Sequence, residues 1–455
     1  MIKKNTRNLI FLLIEVVSFV TFIFLFINNL QIGSSILSLL PLVNFICVLF
    51  FDLLTRNKQL YIGSIIIILT YFIRNVITII FMNISDYFVK ELNINYDVAL
   101  LMMGVEFALV MLVLTLTVRK RNDSTNNVNE ILVDSKQEFL SKSSRIVLLF
   151  LVMISVVLTI RYPQILNVFK FGLLSDQELT NHYIAYNNSL NSMPRLTFYI
   201  LSWLLILLKY VLCLVLIVKI KQSKIIKFKL ILSSLIIVLC MLISTDTTAD
   251  SLVFAIIYFC LLLDFYKNDY KKIILFLTIF SFAFVVFGLF SDTSSLYIAR
   301  KLNAYFSGLK NITMTFNINR YNYNIFELMK GDFLRSIPLL KAFFVDMNTS
   351  SMIFNDSYNM MGQIIPNIGM SYLYFGFMLS PLLSIIFTFL TAKTEGKIYQ
   401  TNNIMDKFLL LLLVIRFACV PVLYNYSIFL IGFFGTFLPL YLYNSLFKNK
   451  KVSVK

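Results

Sequence analysis

The chain has 455 residues, 59% hydrophobic and 14% charged, with a mean hydropathy of +0.82 and a formal net charge of +17. A water-soluble chain of this length would carry about a quarter of its residues as Asp, Glu, Lys and Arg, so soluble enzymes and nucleic-acid-binding proteins are excluded. One histidine is too few for a His-rich metal site or a His/Cys zinc cluster, and the five cysteines, Cys47, Cys213, Cys240, Cys260 and Cys419, all sit in apolar stretches rather than in a disulfide framework.

Backbone polar groups have no water to bond in hydrocarbon, so each apolar run of about 17 to 25 residues is read as a helix that satisfies them internally. Twelve such runs are expected, near 9–27, 32–54, 60–82, 97–118, 146–160, 197–218, 230–244, 251–266, 273–290, 367–392, 407–423 and 427–446. The fold class that follows is all-α, a polytopic membrane protein forming a single integral membrane domain over 1–455. The first run follows Lys3, Lys4 and Arg7, is longer than a signal-peptide core and lacks a small-residue cleavage site, so it reads as an uncleaved first helix. With the amino terminus inside, 26 of the 40 Lys and Arg residues fall on inner segments, 11 on outer segments and 3 within spans. The positive-inside rule then places both termini in the cytoplasm, and the net charge becomes mostly a matter of topology.

Two outer loops, 161–196 and 291–366, are long, polar and cationic on the side where cations are disfavoured. Within the larger one, Leu302, Tyr305, Phe306, Leu309, Ile312 and Phe316 recur at helical spacing, which predicts an amphipathic helix over 300–316 lying on the bilayer. A second helical pattern carries Leu328, Met329, Leu334, Ile337, Leu340 and Phe344, with Gly331 and Pro338 expected to bend or end it. Asn and Tyr are dense around them, at Asn317, Asn319, Tyr321, Asn322, Tyr323, Asn324, Asn348, Asn355, Tyr358 and Asn359. Amides and aromatic faces suit sugars, which offer hydroxyl edges and apolar C–H faces; an ordinary polar loop in an Asn-rich chain is the alternative.

No P-loop, G-x-G-x-x-G, G-x-S-x-G, H-E-x-x-H or C-x-x-C pattern occurs. The ionisable residues at membrane depth are Glu15, Asp52, Arg74, Glu106, Lys209, Asp264 and Arg416. Such residues mark paths or sites, and Arg74 and Arg416 are suited to a bidentate grip on phosphate or carboxylate. Arg74 has the alternative of an ion pair with Glu106 on the next helix. A repeated pattern links the two loops: Arg161 opens RYPQILNVFKFG and Arg320 opens RYNYNIFELMKG, each an Arg-Tyr with a glycine, Gly172 or Gly331, after ten intervening residues.

With twelve expected helices, a smaller and a much larger outer loop, the Arg-x10-Gly element in both loops, and the stretch QIIPNIGMSYLYFGFMLSPLLS from Gln363 to Ser384, the chain resembles the Wzy-type O-antigen and capsule repeat-unit polymerases. That resemblance implies an enzyme, a membrane glycosyltransferase of the bacterial cytoplasmic membrane. Its partners would be undecaprenyl-pyrophosphate-linked oligosaccharide, the lipid bilayer and a chain-length regulator protein, with no nucleic acid, no cofactor and no metal. The growing chain would pass from its lipid to the non-reducing sugar of an incoming unit. The departing pyrophosphate is anionic, so Arg161, Arg300, Arg320, Arg335, Arg74 and Arg416, with Tyr321 beside them, are the substrate-binding candidates. His182, Glu327, Asp332 and Asp292 are the candidate bases for the acceptor hydroxyl. His182 has the alternative of a solvated loop residue, and Glu327 and Asp332 of pairing with Lys330 and Arg335 on the same helical segment. A lipid-linked oligosaccharide flippase and an O-antigen-ligase-like glycosyltransferase are the competing readings. A flippase would be expected to line a central cavity with charge and to show two repeated halves.

Overall fold

A computed structural model describes residues 4–32, 35–85, 87, 96–121, 142–171, 176–223, 225–240, 242–244, 256–258, 260–261, 294–360, 363–401 and 403–447. The described chain is helical apart from one antiparallel pairing, Phe169–Phe171 with Leu242–Ser244. Among the described residues five helices are long and apolar enough to cross a membrane: Arg7–Asn28, Ile62–Ile84, Asp97–Lys120, Arg195–Ile220 and Tyr426–Leu446. Two shorter apolar helices, Leu39–Thr55 and Ile146–Arg161, coincide with further expected runs. The expected run 273–290 and most of 251–266 lie outside the described residues.

The run expected to cross as one helix over 367–392 is two helices, Asn367–Phe375 and Leu382–Thr394. Gly376 closes the first with φ +86°, a left-handed conformation that a side chain makes costly, and Pro381 precedes the second. The run expected over 230–244 is displaced, since the helix spans Ile226–Cys240 and Leu242–Ser244 turns into the strand pairing.

Helices 62–84, 97–120 and 404–419 are packed on most sides. Ile65, Ile66, Ile67, Ile68 and Tyr71 of the first meet Phe107, Val110 and Leu114 of the second and Phe408, Leu412 and Ile415 of the third in one buried cluster. Helix Lys4–Ile32 instead leaves Leu9, Leu12, Leu13, Val16 and Val20 exposed. In lipid, apolar side chains gain little from leaving the tails for one another, so close packing and polar bonds between helices carry specificity. Ser18 and Asn44 bond between the first two helices at 3.1 Å, and Asn367 and Ser384 across the Gly376 break at 3.0 Å. Arg7 reaches the end of helix Leu39–Thr55, donating to the carbonyls of Thr55 and Lys58 at 2.7 Å each and pairing with Asp52 at 2.8 Å.

The amphipathic pattern at 300–316 folds as two helices, Ser295–Tyr305 and Leu309–Phe316, split at Ser307 (φ +47°) and Gly308. Part of its apolar stripe is turned into the protein. Leu309 and Ile312 are fully buried in a cluster with Ile79, Met82, Leu100 and Met103, so the protein interior takes up that part of the stripe. Helix Ile325–Ser336 runs straight through Gly331 and ends before Pro338. Gly331 is needed for contact rather than for a bend, because a Cβ there would overlap the carbonyl of Asn348.

Candidate functional site

The polar region 294–360 brings two of the sequence candidates into distinct environments. Asn319 accepts from the backbone of Tyr321 at 3.2 Å and starts a single 3-10 turn, Arg320–Asn322, which sets the Arg320 side chain against the next segment. The guanidinium packs directly on Gly376, where any Cβ would overlap it. Arg320 is half-buried, and its Nε has no hydrogen-bond partner among the described residues. Tyr372 borders it and donates its hydroxyl to the carbonyl of Ile318 at 3.1 Å. Tyr321 stands out at 88% exposed, with the guanidinium 5.6 Å from its ring centre. A guanidinium with donors to spare beside an exposed aromatic face can grip an oxyanion and stack an apolar sugar face.

Asp332 lies close by in sequence but is 1% exposed. Its carboxylate accepts from the Ser350 backbone at 3.2 Å, the Tyr374 hydroxyl at 2.6 Å, the Ser427 hydroxyl at 2.8 Å and the Ser350 hydroxyl. Burial pushes this carboxyl above the usual carboxylate range, and the hydrogen bonds from Ser350, Tyr374 and Ser427 oppose the shift. Arg335 does not pair with it: its Nη1 donates to the carbonyl of Met347 at 2.8 Å, holding the same segment that Asp332 binds. Gly331, the last residue of the Arg-x10-Gly element, lets that segment approach. The element therefore has a local structural cause in this loop, with Arg320 seated at Gly376 and Gly331 under Asn348. Glu327 is exposed on the first turn of the same helix.

Arg74 and Glu106 form an ion pair at 2.6 Å, both fully buried, with Ser384 donating to Glu106 and the Arg74 guanidinium 4.5 Å from the Tyr71 ring centre. Arg74 sits in a π-helical turn, Ile73–Ile77. Arg416 is fully buried too, donating to the Thr436 hydroxyl at 3.0 Å and lying within 3.5 Å of the Tyr210 hydroxyl. It packs on Gly432, immediately before the second π turn, Phe433–Phe437. Arg161 and Arg300 are exposed, Arg161 at the end of helix Lys142–Arg161 with its guanidinium 5.6 Å from the Tyr162 ring centre. His182 is on helix Asp176–Asn191, its side chain outside the described residues, as are Asp292 and Gly172. Among the described residues no three His, Cys, Asp or Glu side chains lie close enough together to hold a metal ion.

Sequence reasoning did not single out Glu395. It is fully buried, pairs with Arg121 at 2.8 Å and accepts from the Ser64 backbone at 2.9 Å and hydroxyl at 2.6 Å. Arg121 also donates to the carbonyl of Gln59 and lies 4.1 Å from the Tyr61 ring centre. Both charges stand in basic connections between expected spans that looked like topology signals, and nothing local joins residues so far apart.

No protein-family model, curated protein or solved structure matches the chain. The described residues define a predominantly helical protein with several helices of membrane-spanning character, and its polar region at 294–360 is hydrogen-bonded to one of them through Ser427.

Proposed function

We propose that the chain is a membrane glycosyltransferase of the bacterial cytoplasmic membrane that joins undecaprenyl-pyrophosphate-linked oligosaccharide repeat units into O-antigen or capsular polysaccharide. In this reading it crosses the membrane twelve times, with both termini in the cytoplasm and 291–366 on the outer face. The observation that carries it is Arg320, held against Gly376 with an unpartnered Nε and an exposed Tyr321 beside it, in the loop whose sequence resembles the polymerases. An acceptor sugar hydroxyl attacks the anomeric carbon of the donor, and the bond from that carbon to the pyrophosphate oxygen breaks, its electron pair leaving with the pyrophosphate. Arg320 stabilises the charge that builds on that oxygen, and the exposed Glu327 takes the hydroxyl proton. Asp332 takes no part in the proton step, because donors already fill its carboxylate.

The test is polymer made in the source strain by variants expressed at the normal level. Arg320→Ala abolishes or strongly reduces polymer, whereas Arg56→Ala, in the short connection before helix 62–84, leaves it unchanged. Equal effects of the two would remove the site.

A flippase reading draws on Arg74, Glu106 and Arg416, charges buried among the helices. Deleting the gene separates the two. Single repeat units that reach the outer side without polymer fit a polymerase, and units held at the cytoplasmic face fit a flippase. A ligase acting on finished glycan would leave polymer on its lipid.

A further inference from the structure

Helix Ile325–Ser336 carries polar groups inward and aromatic ones outward. Its inward face presents Leu328, Gly331, Asp332 and Ser336, all buried, with Met329 partly buried in the same cluster as Leu328, so the interior receives a carboxylate, a hydroxyl and a glycine beside two apolar side chains. Its outward face presents Phe326, Lys330 and Phe333 at positions i, i+4 and i+7, one stripe on a helix. Phe326 is 82% and Phe333 41% exposed, and the turn that follows adds Leu339 and Phe343, the latter 70% exposed. A helix in water turns its apolar stripe inward. This one turns two phenylalanines outward while sending an acidic group into the protein, so the medium outside it is not plain water.

The same stripe is continuous with a helix long and apolar enough to cross a membrane. Phe333 meets Phe434 edge-on, with ring centres 5.5 Å apart, and Phe434 belongs to the membrane-spanning candidate Tyr426–Leu446. A Cβ added at Gly435 on the same helix would meet the Pro338 ring at van der Waals distance. On the other flank, the Lys341 ammonium is 5.3 Å from the ring centre of Tyr199, on the candidate span Arg195–Ile220. The patch thus runs between two helices of membrane-spanning length. It mixes aromatics with cationic Lys330 and Lys341, the composition that settles at the boundary between headgroups and acyl chains, where ammonium groups meet phosphates.

We propose that helix Ile325–Ser336 and the turn through Phe343 are seated on the phospholipid bilayer, with Phe326, Phe333, Leu339 and Phe343 at the level of the headgroups and upper acyl chains. Seated there, the segment fixes the height of Arg320 and Tyr321, one turn upstream, relative to the membrane surface. The inference does not depend on the glycan chemistry.

The test uses the full-length protein in phospholipid nanodiscs. Phe326→Trp and Phe343→Trp each add one indole at an exposed position, and wild type, with Trp203 alone, is subtracted. Lipids brominated near the top of the acyl chain quench both added indoles as strongly as they quench Leu116→Trp on the exposed face of helix 97–120, while aqueous iodide leaves them bright. Quenching by iodide and not by bromolipid would overturn the proposal, since the patch would face water. Quenching by neither would overturn it as well, since a second copy or another protein would then cover the patch.

Discussion

Asp332 receives hydrogen bonds from residues of three separate segments, Ser350, Tyr374 and Ser427, and removing it leaves those buried donors without an acceptor. Asp332→Ala lowers unfolding free energy by about 3 kcal/mol, read by thermal denaturation in detergent. The pH dependence has a definite sign. Burial raises the folded value of this carboxyl above the unfolded one, so its contribution is fully present below the ordinary carboxylate value of about 4 and is lost as pH rises through the raised value. Wild type therefore gains stability relative to Asp332→Asn when acidified through that window; an identical profile for the two would contradict the assignment. At Arg74 and Glu106 a different balance operates. Glu106→Gln leaves a buried guanidinium without its counter-charge and costs about 3–5 kcal/mol, and adding Arg74→Met to that variant recovers part of the loss. A thermal-shift series of the single and double variants measures it. This pair was legible in the sequence because two opposite charges stood at depth on consecutive helices. The Asp332 cluster was not, since Arg335 looked like its partner at helical spacing and in fact bonds the Met347 carbonyl.

At the scale of the helix, the two π turns mark where the regular ladder yields to side chains. The turn Phe433–Phe437 contains Gly435, whose carbonyl accepts from the Trp203 ring nitrogen at 2.6 Å, and Thr436, which accepts from Arg416. The turn Ile73–Ile77 carries Arg74 itself. Such bulges change the direction of the side chains that follow and recur at functional positions. Gly432→Ala puts a methyl group into the Arg416 guanidinium and lowers folded yield, while Arg416→Met in the same chain restores it. Size-exclusion profiles of the two variants decide this. The helices themselves were readable because long apolar runs have few alternatives in hydrocarbon. The break at Gly376 was written in FGFMLSP, a glycine and a proline five residues apart in a chain with 13 and 8 of them, but hydropathy runs straight across it. The outward stripe of helix 325–336 escaped because pattern reading assigns apolar residues to the inside, and this helix reverses the rule.

Across the whole molecule, helix 62–84 orders the two ends. Its first turn holds Ser64, bonded to Glu395, and its last turns, carrying Ile79 and Met82, pack with Ala299 of helix Ser295–Tyr305. If 62–84 crosses the bilayer, the Arg121–Glu395 cluster and the 294–316 segment lie on opposite sides. Arg56→Cys and Asp356→Cys are then expected to react with an impermeant maleimide from opposite faces of sealed vesicles; reaction from the same face would refute the arrangement. Cys213 and Cys419 are buried and Cys47 and Cys260 partly so, and the wild-type chain carried through the same labelling gives the background.

Arg7 also says something about the order in which the protein is made. All of its partners, Asp52, Thr55, Arg56 and Lys58, leave the ribosome soon after it does, so the first two helices can lock as a hairpin before the rest of the chain exists. Ser64 and Arg121, by contrast, wait for Glu395, which is synthesised 331 and 274 residues later. Until then the link from Ser64 and Arg121 to that carboxylate cannot form, and a nascent chain stalled before Glu395 presents an unfinished interior to the machinery that removes incomplete membrane proteins.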